Sequence, residues 1–315
     1  LSDCELYVTV EKNGRTVRTQ RIALDTAPQE SSSFDFDLSG LDKLPGFGYI
    51  TFSLRQKEPT EWADAGYEVG FEQFALPYVA MKAKKTAKAA PLYSSVTEKE
   101  ITVVCGQTVY TVSRVSGLVT SITDNGTEMI STPIVPTIWR APTDNDRKIK
   151  LEWYKVGYDR TMTECRLVGE PKKEGDGITV AARLTLSPKS LSPILRADVL
   201  YTFSAEGLGI DFRVNVRENL PELPRFGIQF NMPEGNEKLK YFGMGPYESY
   251  RDKCLASKMG VYRTNVSDHF EHYVRPQENS AHTGTRWAQV SNLCGHGLVF
   301  TGDLSFNCSH FTPMM

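Results

Sequence analysis

The sequence predicts an all-β protein built as two antiparallel sandwich bodies, one small and one large. Three observations carry this. Apolar residues recur at every second position, the period of a half-buried strand. The alternating segments are separated by Asn-Gly and other tight-turn sequences. No segment shows a helical apolar stripe longer than about three turns. The length of 315 residues suits two domains, and an apolar share of 40% is too high for a disordered chain.

Taken in order, Leu6, Val8 and Val10 alternate as a first strand, and Asn13-Gly14 follows as a hairpin turn, since both residues tolerate the positive φ that such a turn requires. Phe34, Phe36 and Leu38 alternate again. Residues 1–80 are expected to hold about five to seven short strands in a small sandwich. Residues 81–91, Met-Lys-Ala-Lys-Lys-Thr-Ala-Lys-Ala-Ala-Pro, have no apolar face and read as a basic linker, extended to 81–100. Ile101-Thr-Val-Val opens the larger body, 101–315, whose strands recur roughly every 8–12 residues. Asp124-Asn125-Gly126 marks another turn, and Trp153-Tyr154-Lys155-Val156 one short turn or helix. Leu195 to Phe203 is a strand, Ala205-Glu206-Gly207 its turn. In 208–217, Ile210, Phe212, Val214 and Val216 share one face, while Asp211, Arg213, Asn215 and Arg217 share the other.

Charge and composition exclude several classes. A net charge of −2 recruits neither nucleic acid nor acidic lipid, so Lys82, Lys84, Lys85 and Lys88 read as a solvated linker. No apolar run approaches the roughly 18 residues of a membrane span, so no membrane partner is expected. Cys4, Cys105, Cys165, Cys254, Cys294 and Cys308 are widely spaced and form no C-x-x-C pair, which favours reduced thiols in a cytoplasmic protein. The acceptor patterns at Asn125, Asn265 and Asn307 are short enough to arise by chance. The chain opens on Leu1 directly in strand pattern and reads as a piece cut from a longer protein.

The common catalytic signatures are absent. There is no Gly-Lys pair for a P-loop, no H-E-x-x-H and no G-x-S-x-G, and Gly243-Met-Gly245 leads to Glu248 where a dinucleotide motif needs glycine. His269 and His272 would share a helix face, but no third close ligand accompanies them, and no metal is assigned. Four polar clusters remain: 139–146, 243–250, 275–287 and 306–309. Each mixes amide, carboxylate or guanidinium groups with aromatics, the mixture that pairs sugar hydroxyls and covers a sugar ring's apolar side. The alternative is that these groups satisfy one another within a large sandwich. Asp144 and Asp146 lie on one turn, where Asx-turn roles or pairing with Arg140 or Arg147 suit them better than the about 5–5.5 Å carboxylate pair of a retaining glycosidase. Glu278 and His282 would make an acid–base pair only if they converge.

Trp-Arg-Ala-Pro-Thr-Asp-Asn-Asp (139–146), Gly-Met-Gly-Pro-Tyr-Glu-Ser-Tyr (243–250), Tyr-Val-Arg-Pro-Gln-Glu-Asn (273–279) with Gly-Thr-Arg (284–286), and Phe-Asn-Cys-Ser (306–309) resemble the C-terminal domain of large bacterial β-galactosidases in glycoside hydrolase family 2. Leu-Asp-Thr-Ala-Pro-Gln (24–29) and Glu-Trp-Ala-Asp-Ala-Gly-Tyr (61–67) resemble the immunoglobulin-like domain that precedes it. The resemblance implies an immunoglobulin-like β-sandwich over 1–80, lacking its opening strand or strands. It implies a supersandwich of galactose mutarotase-like fold over 101–315, lacking its closing strands and left with open sheet edges.

The family's retaining hydrolysis of terminal β-D-galactosides belongs to a TIM barrel with two glutamates and magnesium, placed N-terminal to everything here. The chain alone is therefore expected to be inactive and to hold no catalytic residue, cofactor or metal. Its implied partners are that barrel and galactosides, with a homo-oligomer left open for the whole enzyme. The residues expected to line a sugar cleft or the active-site rim are Arg140, Asp144, Asn145, Asp146, Glu248, Glu278, Asn279, His282, Arg286 and Trp287. The alternative is a stand-alone carbohydrate-binding or mutarotase-like module. Two departures from the family stand out: the loop after Asp146 is short, and the chain stops at Met315, before the tryptophan that the best-known members place in the galactose site.

Overall fold

The computed structural model describes residues 1–41, 43–81 and 91–311. Lys82, Lys84, Lys85 and Lys88 lie outside the described residues. The protein is all-β, with several antiparallel sheets and one short helix.

The first body is a single sheet of β1 (Cys4–Lys12), β2 (Arg15–Ala23), β3 (Gly46–Gln56) and β4 (Glu68–Val79), in the order β2-β1-β3-β4. Asn13 (φ 50°) and Gly14 (φ 71°) make the tight turn between β1 and β2. Four strands form among the described residues instead of five to seven, because the second layer is irregular chain. Phe36, Leu38, Leu41 and Leu44, between β2 and β3, pack on Val8, Val10 and Ile50. Phe36 and Leu38 thus reach the core without joining a strand, and Phe34 is exposed. The polar residues between them favour local turns over a ladder: the Ser39 N–H donates to Asp37 Oδ1 at 2.8 Å.

The second body begins earlier than expected. β5 (Leu92–Val96) lies inside the stretch read as linker and pairs with β6 (Glu100–Cys105). A meander follows through β7 (Thr108–Ser113), β8 (Val119–Asp124) and β9 (Thr127–Glu128). β10 (Val135–Thr137) pairs with the later β16 (Gly227–Gln229). The helix α1 (Ile149–Val156) covers the Trp153 segment. A second sheet contains β11 (Thr161–Val168), β12 (Lys172–Glu174), β13 (Gly177–Pro188), β14 (Leu195–Ser204) and β15 (Gly207–Val216).

These two large sheets face each other. Ile101, Val103, Tyr110 and Val112 of the meander share one core with Val180, Leu184, Val199, Tyr201 and Phe203, and Trp139, Trp153 and Tyr158 close its end. In β15, Phe212 and Ile210 pack against this core as their alternation requires, while Val214 and Val216 lie beyond its rim and are exposed.

A third sheet runs β18 (Lys258–Asn265), β17 (Lys238–Gly245), β19 (His282–Ser291) and β20 (Gly297–Phe306) in spatial order. Its inner face buries Leu239, Tyr241, Ala288 and Val290. Its opposite side meets the first body along a seam that no sequence motif announced. Phe47 and Tyr49 of β3 pack edge-on against Phe242 of β17, with ring centroids 6.4 and 6.2 Å apart. The Lys258 ammonium pairs with both carboxylate oxygens of Glu68, at 2.8 and 2.9 Å. The Gln73 side chain donates to the Met259 carbonyl at 3.0 Å and accepts from the Met259 N–H at 2.7 Å. β18 is an edge strand, so this amide fills the place where a neighbouring backbone would bond. The Asn13-Gly14 turn also abuts β18: a Cβ on Gly14 would fall 2.0 Å from Val261 Cγ2.

Candidate functional site

Most of the residues expected to line a sugar cleft gather around residues 277–282, which run between four other chain segments into β19. The Gln277 carbonyl oxygen of the side chain accepts from the Asp144 N–H at 2.9 Å. Glu278 accepts from the Ala141 N–H and from Arg225, each at 3.2 Å. The Asn279 carbonyl accepts from Asn307 Nδ2 at 2.5 Å, and the Ser280 N–H donates to Glu248 at 2.9 Å. Four consecutive residues therefore bind four different chain segments.

On one side, Arg140 donates from both terminal nitrogens to Asp146, at 2.5 and 3.0 Å, in a bidentate fork. Asp146 also accepts from the N–H and hydroxyl of Thr143, closing the short 3-10 turn Asp144–Asp146 on itself. Burial alone would raise the Asp146 carboxyl, but these bonds outweigh it and hold the group below its usual range. Asp144 and Asn145 point to solvent. Asn145 donates to Asp252 at 2.6 Å, and Asp144 faces Arg275 at 4.0 Å. The two aspartates thus serve different purposes and form no catalytic pair.

On the other side, Glu248 is bound by Lys253, by the Tyr273 hydroxyl and by the Ser280 N–H. Burial again opposes ionisation and again loses, so the Glu248 carboxyl is held low. Glu278 behaves differently. It is the most enclosed of the three carboxylates, and desolvation raises it despite Arg225, the Ala141 N–H and Arg140.

His282 is 1% exposed and does not meet Glu278. Its Nδ1 lies 2.9 Å from the Met244 carbonyl and its Nε2 lies 3.1 Å from Nδ1 of His269. His269 therefore pairs with His282 instead of His272, whose ring stacks edge-on against Phe270 at 4.9 Å. Arg286 and Trp287 leave the cluster altogether. β19 carries them to the seam, where Arg286 lies over the Phe47 ring at 4.6 Å and binds Asp303, and Trp287 packs beside Phe242 and Met259.

The network uses its polar atoms internally: each buried carboxylate meets at least one cation and one backbone N–H. What faces outward is a hydrogen-bonding rim of Asp144, Asn145 and Arg275. Among the described residues no three His, Cys, Asp or Glu side chains lie close enough together to hold a metal ion. The six cysteines are free thiols. No helix among the described residues is long and apolar enough to cross a membrane. Sequence reasoning missed Arg225, Lys253 and Tyr273 as partners. Arg225 follows a proline pair, Pro221 and Pro224, and only that rigid approach signals it.

Comparison with known proteins identifies the family. Residues 1–77 match the family model of beta-galactosidase domain 4. A beta-galactosidase of Priestia megaterium is 30% identical over 97% of this chain, and one from Actinobacillus pleuropneumoniae is 30% identical over 99%. A Staphylococcus xylosus beta-galactosidase is 26% identical over 88%. The chain spans about 30% of the length of these curated relatives. Residues 105–315 match the model described as beta galactosidase small chain, and the chain belongs to that family.

Proposed function

We propose that this chain is a non-catalytic part of a β-galactosidase that hydrolyses terminal β-D-galactosides with retention. In this reading it buttresses a separate catalytic barrel, which supplies both glutamates and the magnesium. The rim of Asp144, Asn145 and Arg275 borders that barrel's active-site mouth, and galactosides meet it there. The whole enzyme works in the cytoplasm.

One observation carries the reading. Asp146, Glu248 and Glu278 are each engaged by cations and backbone N–H groups, in pairs that fix loops and leave no carboxylate poised against another. The test is an assay of the purified chain on a chromogenic β-galactoside, beside a titration with galactose. No turnover and no saturable binding are expected. Hydrolysis by the pure chain overturns the proposal. Saturable galactose binding that Glu278→Ala abolishes would replace it with a sugar-binding module.

A further inference from the structure

The His269–His282 contact is buried against Tyr241 and Phe306 and lies outside the carboxylate network. Its chemistry is constrained at one end. Nδ1 of His282 faces the Met244 carbonyl, which can only accept, so that nitrogen carries the hydrogen. In the neutral ring Nε2 of His282 is then a lone pair, and the hydrogen bond to His269 requires Nδ1 of His269 to be the donor. Both rings are fixed as the Nδ1–H tautomer. The one basic nitrogen left is Nε2 of His269.

We infer that this pair is a proton-operated latch: neutral, or with one proton on Nε2 of His269, it fastens residues 266–281 to β17 and β19, and a second proton unfastens them. The first proton leaves every bond in place. The second can only go to Nε2 of His282, where it meets the N–H of His269 head-on and removes the acceptor. The fastened segment matters because it carries Glu278, Asn279 and Ser280, and Ser280 also donates from its hydroxyl to the His269 carbonyl.

The charged groups facing the pair are Asp268 on the turn itself and Glu248 in the loop after β17. β17 otherwise presents Tyr241, and β20 presents Phe306. Burial lowers both imidazoles, His269 to about 4, the neighbouring ring adding to the effect on His269. A histidine held below its unfolded value binds fewer protons folded than unfolded. Its stabilising effect is whole above the ordinary imidazole range and declines as pH falls toward 4. Glu248, held low, stays ionised through most of that window, so the histidines open the segment first.

Two measurements test this in the full chain. Long-range proton–nitrogen NMR at pH 7 should show both rings as Nδ1–H tautomers; an Nε2–H signal on either ring overturns the latch. Hydrogen exchange of the 266–281 amides, corrected for intrinsic rates, should rise on the order of a hundredfold from pH 7 to pH 4. In His269→Gln, whose amide can serve as donor or acceptor but does not titrate, that rise should shrink at least tenfold, the remainder coming from His282 alone. Exchange that is flat with pH in the wild type, or equal acid opening in His269→Gln, overturns it as well.

Discussion

The polar cluster around residues 277–282 and the seam between the two bodies are both tightly built, yet they hold by different means. The cluster binds loops through charges that answer one another: Arg140 to Asp146, Arg225 to Glu278, Lys253 to Glu248. Such pairs contribute little beyond the desolvation they require, but breaking one leaves an unanswered charge. The seam holds through the aromatic burial of Phe47, Tyr49 and Phe242, with one amide and one ion pair at its margin. The lesson is that the conspicuous motifs position loops, whereas an inconspicuous apolar contact sets how the bodies sit together.

That contrast can be pressed hardest at Phe242, which is 2% exposed. Phe242→Ala should cost about 3 to 5 kcal/mol in urea unfolding, the range for emptying an aromatic site in a packed core. A loss smaller than that of Glu278→Ala would reverse the comparison.

Glu278→Ala should cost about 2 kcal/mol, because it frees Arg225 and the Ala141 N–H together, although Arg225 can partly rehydrate. The sharper form is a double replacement, Glu278→Leu with Arg225→Met, which should be milder than Glu278→Ala alone. Equal or additive losses in the same denaturation series would mean that the pair contributes net attraction after all.

The smallest effect is expected at the seam's margin. Gln73→Ala strips both partners from Met259 and should cost about 1 to 2 kcal/mol, since water reaches that edge only in part. Hydrogen exchange at the Met259 amide reads this directly; unchanged protection there would show that the amide does not guard the edge.

Strand positions were legible wherever one face is buried and the other wet. Val8 and Val10 in β1, or Phe212 and Ile210 in β15, advertise their burial by alternation, and Asn13-Gly14 and Asn125-Gly126 advertise their turns by the positive φ they adopt. Phe36 and Leu38 show the limit, since alternation records which side chains go inward but not whether the backbone between them joins a ladder. At the candidate site the residue types were legible because charged and amide side chains cluster in short motifs. Their partners were not, because Arg225 lies 53 residues from Glu278 and nothing local encodes that meeting. Arg286 and Trp287 misled for a related reason: they adjoin His282 in sequence, but an extended strand moves a side chain about 3.3 Å per residue, far enough to leave the cluster for the seam.

The Gln73 amide on Met259 also gives the third sheet a direction. A β-sheet is a template that can be extended from either margin, and at β18 the first rung is already occupied by an impostor, a side chain bonded as a strand would be. Growth past that margin would first require the two bodies to part. At the opposite margin, β20, no such plug is seen among the described residues, so the sheet is one-ended: any added strand, from this chain or from another, has a single side on which to begin.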